Sequence, residues 1–203
     1  MTKLSQHLSC PTKADWVIVK QVLRYIRGTL NYKLTFTKSK TEKVNLVGYS
    51  DADWASSVED RKSTTGYLFY MNEEGPAISW KSKKQSTIAL SSCEAEYMAL
   101  TACTQEAMFL KMLLSEFEEQ PNQCTPIYGD NQGAIALIKS PNNHTRSKHI
   151  DIKYHFIREK FHEQLIDVLY VPSNENIADL FTKPSTRNKL DTFNRTLFGK
   201  SKC

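Results

Sequence analysis

No stretch of 18 or more apolar residues occurs in this sequence of 203 residues, so nothing in it reads as a membrane span. The first ten residues, MTKLSQHLSC, lack the continuous apolar core of a secretory signal. The five cysteines (Cys10, Cys93, Cys103, Cys124 and Cys203) are odd in number and include no Cys-x-x-Cys pair. That argues against a disulfide framework and for reduced thiols inside a cell. The five histidines include no His-x-x-x-His pair, which removes the simplest zinc reading. No glycine-rich phosphate loop and no Gly-x-Ser-x-Gly turn is present, so neither nucleotide hydrolysis nor serine-hydrolase chemistry has a footing. Cys93 stands at a helix start, but no ordered histidine partner accompanies it, and a thiol nucleophile is unsupported. Internal repeats and low-complexity tracts are also missing.

What is there is an ordinary globular composition, 40% hydrophobic and 24% charged, on a chain long enough to bury a core without a staple. The net charge of +5 hides an asymmetry. Nine basic and two acidic residues fall in positions 1–43, a net +7, which leaves the other 160 residues at −2. A basic arm on a near-neutral body suits a polyanionic partner, nucleic acid first.

Residues 11–27 have helical spacing in Trp16, Val17, Lys20, Leu23 and Ile26, with Pro11 to start the helix and Gly28 to end it. An extended piece at 32–37 and a Lys-rich linker at 38–43 follow. Strands are expected at 44–50, 64–71 and 77–81, joined by short polar turns as an antiparallel meander. Ser91 and Ser92 cap a long helix running to about residue 118. Then come a strand at 125–129, helices at 132–139 and 147–164, a strand at 166–171 and a short helix at 176–182. This order gives a mixed sheet with helices on its faces, and right-handed crossover makes the strands around the long helix parallel. Trp16, Trp54 and Trp80 are expected in the core or at a subdomain interface.

Carboxylates stand at the ends of these elements: Asp51 ending the first strand, Glu94 and Glu96 opening the long helix, Asp130 after the fourth strand, and Asp179 in the last short helix. Converging carboxylates repel one another unless cations bind, and hard oxygen donors favour magnesium or manganese. Two such ions about 4 Å apart perform in-line phosphodiester hydrolysis. Glu94 and Glu96 lie about 200° apart around a helix, so only one can face such a site. The apolar stripe does not decide between them.

Several long strings then resemble the ribonuclease H domain of copia-type LTR retrotransposon Pol polyproteins. They are Asp51-Ala-Asp-Trp-Ala55, Arg61-Lys-Ser-Thr-Thr-Gly-Tyr67, Ile78-Ser-Trp-Lys-Ser-Lys-Lys-Gln85, Ala89-Leu-Ser-Ser-Cys-Glu-Ala-Glu-Tyr-Met-Ala-Leu100, Asp130-Asn-Gln132, Lys148 to Glu159, and Ala178-Asp-Leu-Phe-Thr-Lys-Pro184. The stretch from Leu8 to Phe36 is similar to the segment joining that family's reverse transcriptase to its ribonuclease H.

The resemblance implies an α/β fold: a ribonuclease H-like mixed five-stranded sheet flanked by helices, with an N-terminal helical appendage. It divides the chain into a reverse transcriptase remnant or connection segment at 1–43, a ribonuclease H-like domain at 44–184 and a basic C-terminal tail at 185–203. It implies four metal-binding catalytic acids, Asp51, Glu96, Asp130 and Asp179, with the family's Glu-apolar-Met-Ala pattern selecting Glu96 over Glu94. It implies two Mg2+ ions, replaceable by Mn2+, and an RNA–DNA hybrid as substrate. Ser92 and Gln132 are then placed to contact sugar or bases, and Arg61, Lys62, Lys81, Lys83 and Lys84 to hold DNA-strand phosphates. The partner is the reverse transcriptase domain of the same polyprotein, and the location a cytoplasmic virus-like particle or the nucleus. The alternative is a non-catalytic nucleic-acid-binding remnant or a domesticated fragment. Two departures matter. The loop Val171 to Ile177 holds no histidine, which many cellular and retroviral ribonucleases H carry before the last acid but copia-type domains generally lack, so it does not imply inactivation and leaves product release with no assigned residue. No polymerase Tyr-x-Asp-Asp motif is present, so the chain by itself is not expected to copy nucleic acid.

Overall fold

The computed structural model describes residues 4–5, 7–36, 44–72, 75–117, 123–140 and 151–199, except for the side chains of 151–155 and 195. It divides into two compact units, Met1–Leu34 and Thr35–Cys203. The first unit is built on helix α1, Lys13–Gly28. Thr12 and Asp15 close its N-terminus as a capping box: Asp15 N–H donates to Thr12 Oγ1 (3.2 Å) and Thr12 N–H to Asp15 Oδ2 (2.8 Å). No α1 residue is buried, and Trp16, Leu23 and Ile26 stand exposed. Residues 32–36 form no strand, and the expected linker at 38–43 lies outside the described residues.

The second unit runs β1 (Val47–Asp53), β2 (Thr64–Tyr70), β3 (Ser79–Lys84), α2 (Ser92–Glu116), β4 (Thr125–Gly129), α3 (Gln132–Lys139), α4 (Asp151–His162), β5 (Ile166–Tyr170), a 3-10 helix (Ile177–Phe181) and α5 (Arg187–Phe198). The sheet order is β3-β2-β1-β4-β5, antiparallel through the first three strands and parallel from β1 to β4 to β5. This is the mixed five-stranded sheet that the resemblance implies, and the strands around the long helix are parallel.

Two strand ends shift from expectation because pairing continues past the apolar residues. β1 pairs as far as Asp53 opposite Thr64, and β3 as far as Lys84 opposite Thr64. The helix expected from 147 is described from Asp151, and residues 147–150 lie outside the described residues.

β2 is apolar on both faces, and its period of two sorts two cores. Tyr67 and Phe69 join Tyr97, Leu100 and Ile127 on the side of α2 and α4. Leu68 and Tyr70 join Ala77, Ile177 and Leu197 on the other side. That second core corrects the reading of 185–203 as a tail. Leu190, Phe193 and Leu197 recur at helical spacing, so Arg187–Phe198 form α5 and cover Leu68 and Tyr70. Its last carbonyls are also engaged: Ala77 N–H donates to Leu197 O (3.1 Å) and Thr35 N–H to Phe198 O (2.8 Å). The tryptophans correct a second expectation. Trp16, Trp54 and Trp80 are each about half exposed, Trp80 because it sits on the edge strand β3. Among the described residues no helix is long and apolar enough to cross a membrane.

Leu197→Ala is therefore expected to lower unfolding stability by about 2–4 kcal/mol in urea titration, whereas Leu90→Ala, at an exposed position, should change it by less than ~0.5 kcal/mol. Equal small effects would mean that α5 does not complete the core.

Candidate functional site

Three acids meet where the two parallel crossovers leave the sheet. Asp51 lies inside β1, not at its end, and faces Gly66 of β2 across the ladder. Asp130 directly follows β4, one residue before Asn131 caps α3 by accepting from Ala134 N–H (2.9 Å). Glu96 sits in the second turn of α2. One oxygen from each of Asp51, Glu96 and Asp130 lies within 4.8 Å of the others, and among the described residues this is the group of three or more with metal-ligand spacing.

Small side chains permit this approach. Ala52 of β1, Ala89, and Ala95 and Ala99 of α2 form a tight cluster that brings the start of α2 onto β1. Glu96 then reaches the Ala52 backbone N–H. A cap gives the two helix glutamates different surroundings. Ser91 Oγ accepts from Glu94 N–H (3.1 Å), and the Glu94 carboxylate turns back to accept from Leu90 N–H (2.8 Å). Glu94 completes the helix start while Glu96, buried, faces Asp51.

Asp179 stands apart from this triad. Its carboxylate, little exposed, is held by Lys183 Nζ at 2.7 Å and by Lys189 Nζ. It nevertheless acts on Asp51 by charge. The 3-10 helix carrying it is registered on β1 by the fully buried Asn176, whose Nδ2 donates to Ser50 O (2.9 Å) and whose Oδ1 accepts from Ala178 N–H (3.1 Å). Thr182, which ends that helix, donates its hydroxyl to Asp51 Oδ2. Gly66 makes room for this contact: a Cβ there would come within 2.7 Å of Thr182 Cγ2 and 2.9 Å of Phe181 Cβ. Asn176, Thr182, Lys183 and Lys189 were not singled out in the sequence: Lys183 reaches Asp179 from four residues along the chain, whereas the fold brings Asn176 to Ser50, Thr182 to Asp51 and Lys189 to Asp179.

The electrostatics are those of a crowded anionic pocket. Burial pushes Glu96 up to about 9, with the charges of Asp51 and Asp130 adding to it. Burial likewise lifts Asp51 to about 6, against the hydrogen bond from Thr182 and the charge of Lys183. Asp179 goes the other way: partial burial would raise it, but the ammonium groups of Lys183 and Lys189 hold it below the usual carboxylate range. Buried, hydrogen-bonded carboxylate oxygens short of positive charge are the donor set that a hard divalent cation requires.

The expected substrate-binding residues form two groups. Ser92 and Gln132 are exposed at the first positions of α2 and α3, whose starts adjoin: a Cβ on Gly133 would lie 3.5 Å from Cys93 Sγ. Lys81, Lys83 and Lys84 line an open groove between β3 and α2, together with Gln85, Thr101 and Gln105. Lys84 is bound to Asp60 at 2.9 Å, and Lys62 approaches the same carboxylate at 4.0 Å. Arg61 lies beside them, exposed and in the left-handed region at φ 55°. Lys81 lies over the Tyr67 ring, 5.9 Å from its centre. Burial raises the Cys93 thiol, away from the thiolate a nucleophile needs.

No protein-family model matches the chain. Its sequence is 44% identical over 188 residues to the retrovirus-related Pol polyprotein from transposon TNT 1-94 of Nicotiana tabacum, an alignment covering 93% of this chain and 14% of that polyprotein. It is 57% identical over 107 residues to the secreted RxLR effector protein 161 of Plasmopara viticola, covering 53% of this chain and 72% of that protein. Among solved structures, LC11-RNase H1 isolated from compost superposes with a TM-score of 0.50 at 14% identity, covering 73% of this chain and 96% of that one. At that identity the likeness speaks for the fold alone.

The raised carboxyls fix a sign for stability. Between about pH 4 and 9 the folded, metal-free chain keeps a proton on Glu96 that the unfolded chain has released, and Asp51 does the same from about pH 4 to 6. Metal-stripped protein should therefore lose thermal stability as pH rises through this window. Glu96→Gln should flatten the loss above pH 6 and raise the midpoint at pH 8 by about 3–8 °C. A midpoint that holds constant or climbs from pH 6 to 9 would contradict the assignment.

Proposed function

The chain belongs to the copia-type retrotransposon Pol polyproteins as their ribonuclease H-like part, and from that premise we propose that it cuts the RNA strand of RNA–DNA hybrids. It spans about 14% of the length of the tobacco relative, so hybrid cleavage is put forward as this segment's share in a longer protein that copies RNA into DNA. The observation that carries the reading is the convergence of Asp51, Glu96 and Asp130 within 4.8 Å from three different elements.

Bound at these carboxylates, two magnesium or manganese ions would supply a water of lowered pKa and a counter-charge for the leaving 3′ oxygen. Asp51, central among the acids, would serve both ions. Glu96 and Asp130 would hold one side and Asp179 the other. Thr182 orients Asp51 by hydrogen-bonding its Oδ2. Glu96 has to give up its proton before it can act as a ligand, so a neutral to alkaline optimum follows. Products would carry a 5′ phosphate and a 3′ hydroxyl.

Discrimination for the hybrid rests on 2′-hydroxyls and groove shape. Ser92 and Gln132, at adjoining helix starts beside the acids, are the groups offered to the sugar edge. Lys81 and Lys83 on β3, with Arg61 and Lys62 on the β1–β2 turn, form a basic flank for the DNA strand. Of the candidate lysines, Lys84 is the least available, since Asp60 already holds it.

A second reading, a domesticated copy that binds without cutting, is raised by the 57% identity to a Plasmopara protein named as a secreted effector. Both readings place the same acids in the fold and differ in turnover.

An end-labelled RNA–DNA hybrid, incubated with and without magnesium beside duplex DNA and duplex RNA, separates them. The expected result is metal-dependent cutting of the hybrid's RNA strand alone, lost by at least ~100-fold in Asp130→Asn while hybrid binding survives. Cutting that persists in Asp130→Asn would overturn the site, and folded protein that binds hybrid but never cuts would favour the domesticated copy. Lys81→Ala with Lys83→Ala should weaken hybrid binding and make its salt dependence shallower by about two phosphate contacts.

A further inference from the structure

Lys189 is out of place by local rules. It sits in the first turn of α5, where the helix dipole favours acidic side chains, and that turn holds no acid at all. Yet its ammonium group is directed away from its own helix onto Asp179 Oδ2. Lys183 takes the other oxygen, Oδ1, at 2.7 Å. Both oxygens of the fourth acid are thus occupied by ammonium groups, and its side chain is only 13% exposed. Both ammoniums can withdraw, since the Lys183 and Lys189 side chains are 45% and 30% exposed. The placement is held firmly, because Leu190, the next residue, packs in the core beneath α5. A residue that violates its helix's preference and is compensated by a carboxylate beside a candidate metal site points to function.

We propose that Lys189, with Lys183, is a built-in counter-ion that holds Asp179 closed to metal, so that a divalent ion enters the Asp179 side of the site only by displacing ammonium groups. The proposal deepens the metal-dependent reading above and rests on it. Among the described residues no ammonium or guanidinium group is shown at hydrogen-bond distance on the Asp51–Glu96–Asp130 side, and Lys183 acts there through space. The two sides therefore differ in affinity: ions fill the triad first and the Asp179 side second. Because α5 delivers Lys189, anything that shifts the C-terminal helix changes the affinity of the second ion and not that of the first. The competing account is an ordinary anchor, in which the ion pair merely fastens α5 to the 3-10 helix.

Mn2+ titration of metal-stripped protein, with free ion counted by electron paramagnetic resonance, distinguishes the accounts without reference to cleavage. Wild type should show two steps. Lys189→Gln should tighten the second step by about 3–10-fold and leave the first unchanged. Lys189→Arg, which keeps the charge, should behave as wild type, and Lys183→Gln should tighten the second step as well. In an Asp179→Asn background, Lys189→Gln should have no further effect. Superimposable curves for wild type, Lys189→Gln and Lys183→Gln would overturn the counter-ion lock while leaving the metal site standing. No Mn2+ uptake by wild type in either step would bring down the metal reading, and the lock with it.

Discussion

Three carboxylates within 4.8 Å of one another, two of them buried, are the constraint around which this fold is arranged. Burial and mutual repulsion make their ionised forms costly, and the chain provides little inside the triad to offset that cost. Thr182 gives Asp51 one hydrogen bond and Ala52 gives Glu96 another, and both groups still stay well above the usual carboxylate range. A bound divalent cation would supply the missing positive charge. The cluster thus costs the metal-free fold stability, as buried charge does wherever local rules are broken.

The architecture reads as a means of holding that cluster in place. β1 is the central strand, paired on one side with antiparallel β2 and on the other with parallel β4, so Asp51 is fixed from both edges. Alanines at the start of α2 let the helix approach β1 closely enough to deliver Glu96. Asn131 caps α3 and fixes the loop that carries Asp130. On the opposite face, Asn176 ties the 3-10 helix to the Ser50 carbonyl, and Gly66 leaves the space in which Thr182 meets Asp51. The second core, closed by Leu197 of α5, fixes both the 3-10 helix and the helix that holds Lys189. Buried apolar contacts and a few buried polar caps together place the charges at the site.

Much of this was legible in the sequence, for identifiable reasons. β-formers bounded by polar turns marked β1, β2 and β4, and Ser91 marked the start of α2. Angular spacing limited the site to one of Glu94 and Glu96, and only the folded cap, with Glu94 turned back to Leu90 N–H, shows which is free to face Asp51. α5 was missed because its lysines and arginines were given more weight than the spacing of Leu190, Phe193 and Leu197, which was there to be read. Thr182 and Asn176 stand in a segment the sequence marked, but nothing local tied them to β1. Their partners Asp51 and Ser50 lie more than a hundred residues earlier in the chain, and such contacts follow from topology and not from composition. The tryptophans failed as core markers because size alone does not decide burial: Trp80 falls on an edge strand.

The central claim is that the buried carboxylates exchange a proton for a divalent cation. Calorimetric titration of magnesium into the stripped protein at pH 7, repeated in buffers of different ionisation enthalpy, counts the protons released on binding. The account predicts saturable binding with release of about one proton per chain, originating from Glu96. Magnesium binding with no proton released, or no binding at millimolar magnesium, would contradict it.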